Sequence, residues 1–339
     1  QKEMSFQSAS VIGAGGWGSA LAQLLSSRGV PVTIWAHEAA QVDEINTAHT
    51  NNQFLPGVEL NKSIHATASL EDAAKCDLCV VVPPSKFLPA VARQLGEAGM
   101  KSGVPLVCCT KGLDQDTGKL LTDVLTGIFP SNPVAALSGP NHAEEVARGT
   151  PAAAVVAADD HDLADKIRDF FNTPTFRIYS VDDVAGVELG GALKNIYAIA
   201  AGISDGLGLG DNAKAALVTR SLAELVRLGT KLGGQRETFY GLSGLGDLIV
   251  TCFSKHSRNR GVGERLGCGE KWAQIEKSMV MVAEGVPTAR TAYGEARKHG
   301  IDTPLLDTVH AVLFEDLPPR DGLMRLLSRD TKSEKESSR

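Results

Sequence analysis

The segment "ASVIGAGGWGSALAQLL", residues 9–25, constrains the fold more than any other. A short apolar strand pattern runs into glycines, and apolar residues at helical spacing follow. Gly13, Gly15 and Gly18 fit G-x-G-x-x-G, with Gly16 and Trp17 inside the pattern. Alone that pattern is weak; between a strand and a helix it has the required context. Gly13 permits the tight turn, Gly15 lets backbone approach a pyrophosphate, and Gly18 lets helix and strand pack closely. The helix N-terminus offers unpaired N–H groups and a positive dipole end to phosphates. The alternative is a glycine-rich turn in an α/β sheet with no ligand.

Further strands are expected in "PVTIWA" (31–36), "SIHAT" (63–67), "DLCVVVP" (77–83), "VPLVCCTKG" (104–112), "NPVAALSGP" (132–140) and "PAAAVVAA" (151–158). The run at 77–83 is continuously apolar, as for a strand buried on both faces. Strands separated by helical segments imply crossovers and a parallel, doubly wound sheet. The texture changes near 187–190. Residues 188–234 lack strand alternation and read as helices broken by a Gly/Asp-rich turn at 205–212. Segments 272–282, 287–299 and 304–315 are also helical in pattern. The expected organisation is a dinucleotide-binding domain over 1–188 and a helical substrate and catalytic domain over 189–328. A charged tail over 329–339 is expected to be disordered.

Charge and cysteine usage narrow the function. The net charge of -6 argues against generic nucleic-acid binding, which needs a basic face. No run approaches the ~18 apolar residues that span a bilayer. The N-terminal "QKEMSFQSAS" lacks the apolar stretch of a signal peptide. Cys76 and Cys79 make a C-x-x-C, but it leads straight into a strand and no second ligand pair has suitable spacing. Small buried thiols in a reducing cytosol are expected, with no metal site.

Ligands of open α/β sheets bind beyond the carboxyl ends of the strands. Three strand ends carry candidates. One carries Pro83, Pro84 and Ser85, where the prolines suit a rigid loop. A second carries Lys111, and a third carries Gly139, Asn141 and Ala143. The second strand ends in Trp35-Ala36-His37-Glu38. Ala36 stands where an NAD enzyme is expected to place its ribose-binding acid. Glu38 follows two residues later, and His37 can reach a hydroxyl or a 2′-phosphate. NAD and NADP both remain open. In the helical half, Lys194 and Asn195 interrupt the apolar "GGALKNIYAIAAG". Such a lysine either snorkels to water or is held in a site, where desolvation lowers its pKa. "GLSGLGDLIVTCFSKHSRNRG" (241–261) sets glycines around Asp247 and ends in Lys255, His256, Ser257, Arg258, Asn259 and Arg260. It reads as a second nucleotide loop, a nucleic-acid patch or a site for one small anion.

Seven ordered motifs resemble NAD(P)-dependent glycerol-3-phosphate dehydrogenase of the bacterial cytosolic type, over about residues 9–317. They are "VIGAGGWGSALA", "TKGL", "LSGPNHAEEVARGTP", "ELGGALKNIYAIAAGISDGLGLGDNAKAAL", "GLSGLGDLIVTC", "SRNRGVG" and "AEGVPTA". The resemblance implies an α/β fold: a Rossmann-type doubly wound sheet, then an all-helical domain like the C-terminal one of 6-phosphogluconate dehydrogenase. It implies reversible reduction of dihydroxyacetone phosphate to sn-glycerol 3-phosphate with NADH or NADPH, which supplies glycerophospholipid synthesis. Lys194 falls on the family's proton-transferring lysine and Lys111 on the lysine shared between cofactor and substrate. Asp247 falls on the acid of "GLGD". Gly139, Asn141, Asn195, Ser257, Arg258 and Asn259 fall on substrate contacts. Gly13, Gly15, Gly16, Trp17, Gly18, His37, Glu38, Ala143, Arg258, Val282 and Glu284 fall on the cofactor side. Arg258 is left to substrate, cofactor or both. Lys255, His256 and Arg260 are expected on a solvated rim. Many members carry Ser or Thr at the position of Asn141, Phe at that of His142, and Val or Leu at that of Ala283. The only partners implied are small molecules. Soluble oligomers are most often two-fold, so a homodimer is the assembly to expect, though no interface is readable.

The implied chemistry is physically coherent. Reducing a ketone builds negative charge on oxygen, which ammonium groups stabilise, and a phosphate handle suits an arginine fork. Three rivals stand beside it. One is a β-hydroxyacid dehydrogenase without a phosphate site, against which the 257–259 cluster speaks. Another is a nucleotide sensor, which needs neither lysine. The third is a nucleic-acid patch at 254–260, which lacks interleaved aromatics.

Overall fold

The structure is a computed structural model that describes residues 6–331, 333 and 334. Eight strands form one sheet: β1 (Ala9–Ile12), β2 (Val32–Trp35), β3 (Ile64–Thr67), β4 (Leu78–Val81), β5 (Leu106–Cys108), β6 (Val134–Ser138), β7 (Ala152–Ala158) and β8 (Phe176–Val181). Their order is β3-β2-β1-β4-β5-β6-β7-β8. The order reverses between β1 and β4, and the glycine loop leaves β1 at that point, where open α/β sheets bind ligands. The alternation of faces is clear in β4. Leu78 and Val80 join one core cluster while Cys79 and Val81 join the other.

Two features depart from the sequence-based expectation. The sheet is parallel except where β6 meets β7, which run antiparallel. Their connection holds a single short helix, α6 (Ala143–Ala147), too short to carry the chain back across the sheet. Strand β8 was not expected at all; it pairs in parallel with β7. Five other helices flank the strands: α1 (Gly16–Ser27), α2 (Ala39–Ala48), α3 (Leu70–Ala73), α4 (Leu88–Glu97) and α5 (Leu121–Ile128). With α7 (His161–Phe171), they complete the layers.

From Val184 the chain is helical. Helix α8 (Val184–Gly206) is followed by α9 (Asp211–Lys231), a 3-10 turn at Arg236–Tyr240 and a π turn at Leu242–Gly246. Then come α10 (Asp247–Phe253), α11 (Arg258–Gly267), α12 (Trp272–Ser278), α13 (Gly285–Lys298), α14 (Pro304–Phe314) and α15 (Pro319–Leu327). Helix α8 starts before residue 188 and continues past 189, so it spans the position where the two domains were expected to divide. It is apolar around its girth and buried over most of its length. Val187 packs on Ala136, Val155 and Ala157 of the sheet, while Leu193 and Ile196 enter the helical core. Glu188 fastens the first part of α8 to α5: its carboxylate accepts from the backbone N–H of Leu121 and Thr122 and from the Thr122 hydroxyl. Burial pushes its pKa up to about 7.

Helices α8 and α11 meet along a seam of glycines. A Cβ at Gly202 would lie 2.7 Å from Glu264 N, and one at Gly267 would lie 2.6 Å from Ile203 O. Gly206 and Gly263 are equally close to the facing backbone. Glycines four residues apart on each helix let the backbones themselves touch. Of the tail expected from 329 onward, Arg329 pairs with Asp302 at 3.0 Å. Positions 332 and 335–339 lie outside the described residues.

Candidate active site

The site forms where the sheet's carboxyl edge meets α8, α10 and α11. Lys194 sits halfway along α8, and Lys111 follows β5. Both reach Asp247, the first residue of α10, which the π turn delivers to α8. Gly190 permits this approach, since a Cβ there would lie 2.8 Å from Ser243 O. Asp247 Oδ1 accepts from Lys194 Nζ at 2.8 Å, and Oδ2 accepts from Lys111 Nζ at 2.8 Å. Lys194 Nζ also donates to Thr251 Oγ1 at 2.6 Å. Lys111 Nζ donates to Gly139 O at 2.9 Å and Asn141 Oδ1 at 2.7 Å. One carboxylate thus gathers two ammonium groups from the two halves of the chain.

Electrostatics follow from this geometry. Burial lowers the Lys194 pKa to about 8, and Lys111 pushes the same way against the pull of Asp247. For Asp247, burial alone would raise the pKa, but the two lysines outweigh it and hold the carboxyl below its ordinary value. Lys194 is therefore a buried ammonium within reach of deprotonation near neutral pH, beside a carboxylate that stays ionised.

A second chain of bonds runs outward. Asn195 Nδ2 lies 3.4 Å from Lys111 O, and Asn195 Oδ1 accepts from Asn259 Nδ2 at 2.9 Å. Asn259 Oδ1 accepts from Gly285 N at 2.8 Å. Both ends of the Asn259 amide are thereby taken by protein. Ser257 Oγ accepts from Arg260 N at 3.1 Å and caps α11. Arg258 donates to Val282 O at 2.9 Å. Water reaches its guanidinium, yet protein crowds it closely enough that burial lowers its pKa against the pull of Glu284 and Glu144. Glu284 accepts from Ser85 N at 2.8 Å and Ser85 Oγ at 2.6 Å, while burial raises its pKa.

The glycine loop stands beside this network. Gly13 has φ +115, and a Cβ there would lie 3.0 Å from Pro83 N. A Cβ on Gly16 would lie 2.7 Å from Phe54 O and 3.8 Å from Ala143 Cβ. Gly18 packs on Gly13 O and Val82, as close helix–strand contact requires. Gly15 differs: nothing lies within 4 Å of a Cβ built on it. It also caps α1 with no side chain bonded there, and no acid stands in the first turn. Nothing in the chain's own packing needs a glycine at 15, whereas a pyrophosphate against the helix end does. The loop therefore fits a dinucleotide.

Many of the residues singled out from sequence belong to this connected region; others stand apart from it. The half-buried Trp17 ring packs edge-on against Phe176 with centroids 6.4 Å apart, at the edge of the core. His37 and Glu38 lie 3.9 Å apart at the exposed end of β2. Among the described residues, no hydrogen bond or ion pair joins them to the lysine–aspartate centre. Arg260 is not on a solvated rim: it donates to Asp205 at 2.7 Å and pairs with Glu264 at 3.2 Å. Lys255 and His256 are exposed. One contributor escaped the sequence reading: Thr251 lies one helical turn after Asp247, and that spacing was the available signal. Ser85 was noted at its strand end, but its meeting with Glu284 comes only through the fold. Among the described residues, no group of three or more His, Cys, Asp or Glu is placed to hold a metal. Among the described residues, no helix is long and apolar enough to cross a membrane.

Comparison with known proteins matches both halves. Residues 8–164 match the model of the NAD-dependent glycerol-3-phosphate dehydrogenase N-terminus, and residues 183–324 match that of its C-terminus. The glycerol-3-phosphate dehydrogenase (NAD(P)+) of Geobacter sulfurreducens is 48% identical, covering 96% of this chain and 98% of its own. Glycerol-3-phosphate dehydrogenase (NAD(P)+) 1 of Salinibacter ruber is 46% identical, covering 96% of this chain and 97% of its own. The crystal structure of glycerol-3-phosphate dehydrogenase from Coxiella burnetii superposes with a TM-score of 0.91 at 37% identity, covering 95% of this chain and 99% of that one.

Proposed function

The chain belongs to the NAD-dependent glycerol-3-phosphate dehydrogenase family, and on that premise we propose that it reversibly reduces dihydroxyacetone phosphate to sn-glycerol 3-phosphate. The observation that carries the reading is Asp247 bonded at 2.8 Å to both Lys194 and Lys111. A bound nicotinamide, NADH or NADPH, would supply the hydride; Gly13, Gly15, Gly16 and Gly18 would hold its dinucleotide, with Glu284 and Val282 on the far wall.

The chain's own groups do the rest. As the ketone oxygen gains charge, Lys194 Nζ gives it a proton and Lys111 Nζ stabilises it. Asp247 orients both ammonium groups and keeps Lys194 charged. Thr251 holds Lys194 Nζ from the other side. The pKa of about 8 supports Lys194 as the acid in one direction and the base in the other. Gly139 and Asn141 line the substrate loop, and Ala143 lies on the cofactor side beside Gly16. Arg258 grips the substrate phosphate. Asn259 and Asn195 hold α8, α11 and α13 in register around it.

Absorbance at 340 nm with dihydroxyacetone phosphate and NADH or NADPH tests the reading. Oxidation dependent on the ketone supports it, and no oxidation with either cofactor overturns it. The two arms also give the cofactor preference. A sensor that binds nucleotide without turnover fails the same assay. We place the activity in the cytoplasm, as a supply of glycerol 3-phosphate for phospholipid synthesis. We also divide the labour between a nucleotide-binding part and a helical catalytic part, in a two-fold homodimer.

A further inference from the structure

Two buried polar atoms on the substrate side of the cleft lack a protein partner. Asn141 Nδ2 and His142 Nε2, on adjacent residues, are both shut away from water with no hydrogen bond. Their orientation has a cause. Lys111 can only donate, so the Asn141 oxygen must face it at 2.7 Å and the amide nitrogen must point elsewhere. His142 precedes α6 without capping it, so its ring is free of that duty. Lys194, Lys111, Asp247 and Glu144 lie close enough to influence the charge of the ring. Its centroid is 6.0 Å from the ring of His256, the residue before Ser257 and Arg258. His142 is thus near both the proton-transfer centre and the segment that carries Arg258. Burial, then Lys194 and Lys111, push its pKa down and keep the imidazole neutral, with one N–H and one lone pair.

A buried polar atom left unpaired is costly. Asn141 Nδ2 is a donor, and His142 Nε2 is a second one in the tautomer that carries its proton there, so the pair suits a ligand that presents hydroxyl or phosphate oxygens. We propose that His142 is a substrate-specificity residue that, beside the Asn141 amide, hydrogen-bonds an oxygen of the bound triose phosphate. The inference rests on the proposed function and deepens it. A cofactor phosphate has the same chemistry, and Ala143 lies 3.8 Å from where a Gly16 Cβ would be. The substrate is favoured because three of the four charged groups acting on the ring, Lys194, Lys111 and Asp247, belong to the proton-transfer centre; the fourth, Glu144, follows in α6 and weighs least.

His142→Phe keeps an aromatic ring and removes both nitrogens. The expected result is a KM for dihydroxyacetone phosphate raised about 5- to 10-fold, as for one lost hydrogen bond. Turnover should stay within about two-fold, and the KM for the dinucleotide should not move. His142→Gln, which restores a hydrogen-bonding group, should recover much of the loss. His142→Leu should repeat the Phe result if the larger ring unfolds the protein, as judged by thermal melting. An unchanged substrate KM overturns the proposal. So does a raised KM for the dinucleotide alone, which would place the contact on the cofactor. Failure of Gln to recover any of the loss assigns the ring to packing and overturns it too. A wild-type protein with no turnover on dihydroxyacetone phosphate defeats the functional reading itself. An active wild type with an unaltered Phe variant defeats only this inference.

Discussion

Lys194 and Asp247 form a 2.8 Å ion pair with both side chains almost wholly out of water, at 6% and 2% exposure. The pair resolves a conflict. A lysine poised to lose its proton needs burial, yet a buried ammonium without a counter-ion would lose the proton altogether. Asp247 supplies that counter-ion and shares it with Lys111.

Lys194→Ala should lower turnover by ~10²–10⁴-fold while the protein still folds. The pH profiles carry the sign. Reduction needs the ammonium, so kcat/KM for the ketone should fall as pH rises through about 8. Oxidation needs the free amine and should rise over the same window. Asp247→Asn removes the carboxylate that favours the charged form. The alkaline limb of reduction should therefore move to lower pH. Initial rates in both directions between about pH 6 and 10 check all three.

Arg258→Ala should raise the KM for dihydroxyacetone phosphate at least about 10-fold. Arg258→Lys should recover little, because a lysine cannot form the two-pronged contact. Steady-state kinetics with each substrate varied separately decide the point. A change in neither KM removes Arg258 from the site.

Two glycines of α11 should respond to alanine with opposite signs. A Cβ at Gly263 would lie 2.9 Å from Ile203 N and closer still to Ile199 O, so Gly263→Ala should destabilise by about 1–3 kcal/mol. A Cβ at Gly261 meets nothing within 4 Å, so Gly261→Ala should stabilise by about 0.5–1 kcal/mol through helix propensity. Urea denaturation midpoints of the two variants test the pair.

Glu224 accepts from Leu305 N and Leu306 N at 2.9 Å each, at the start of α14. Burial raises its pKa to about 7. A folded-state value above the unfolded one means stability that is full below about pH 4.5 and lost as pH rises through about 7. Glu224→Gln sets an amide N–H against one of those donors and should cost about 1–3 kcal/mol at pH 5. The gap from the wild type should narrow by pH 8. Denaturation curves at the two pH values measure it.

The parts of the fold that were legible in sequence were those with a local cause. The turn after β1 needs glycine at 13 and 18, and β4 is apolar on both faces, so each announced itself. Strand β8 did not, because "FRIYSV" alternates buried and exposed residues at the end of the sheet and is short on apolar character. The reversal at β7 depends on how far α6 extends, which no pattern at 143–147 declares. The lysines and Asp247 were visible as polar residues in apolar or glycine-rich surroundings. Their meeting was not, since Lys111 and Asp247 are 136 residues apart. His37 and Glu38 were placed by their position after β2, where the structure leaves both exposed. Arg260 looked like its basic neighbours; only Asp205, brought in from the end of α8, sets it apart.

The glycine seam between α8 and α11 also bears on substrate choice. Lys194 rides on one helix and Arg258 starts the other, so their separation is fixed by main chain touching main chain. At Gly202, Gly206, Gly263 and Gly267 no side chain stands between the two backbones to be trimmed or lengthened. On the proposed function, the seam is a ruler between the reacting carbon and its phosphate. A longer sugar phosphate cannot be accommodated there by trading one side chain for another; only re-spacing the two helices would admit it.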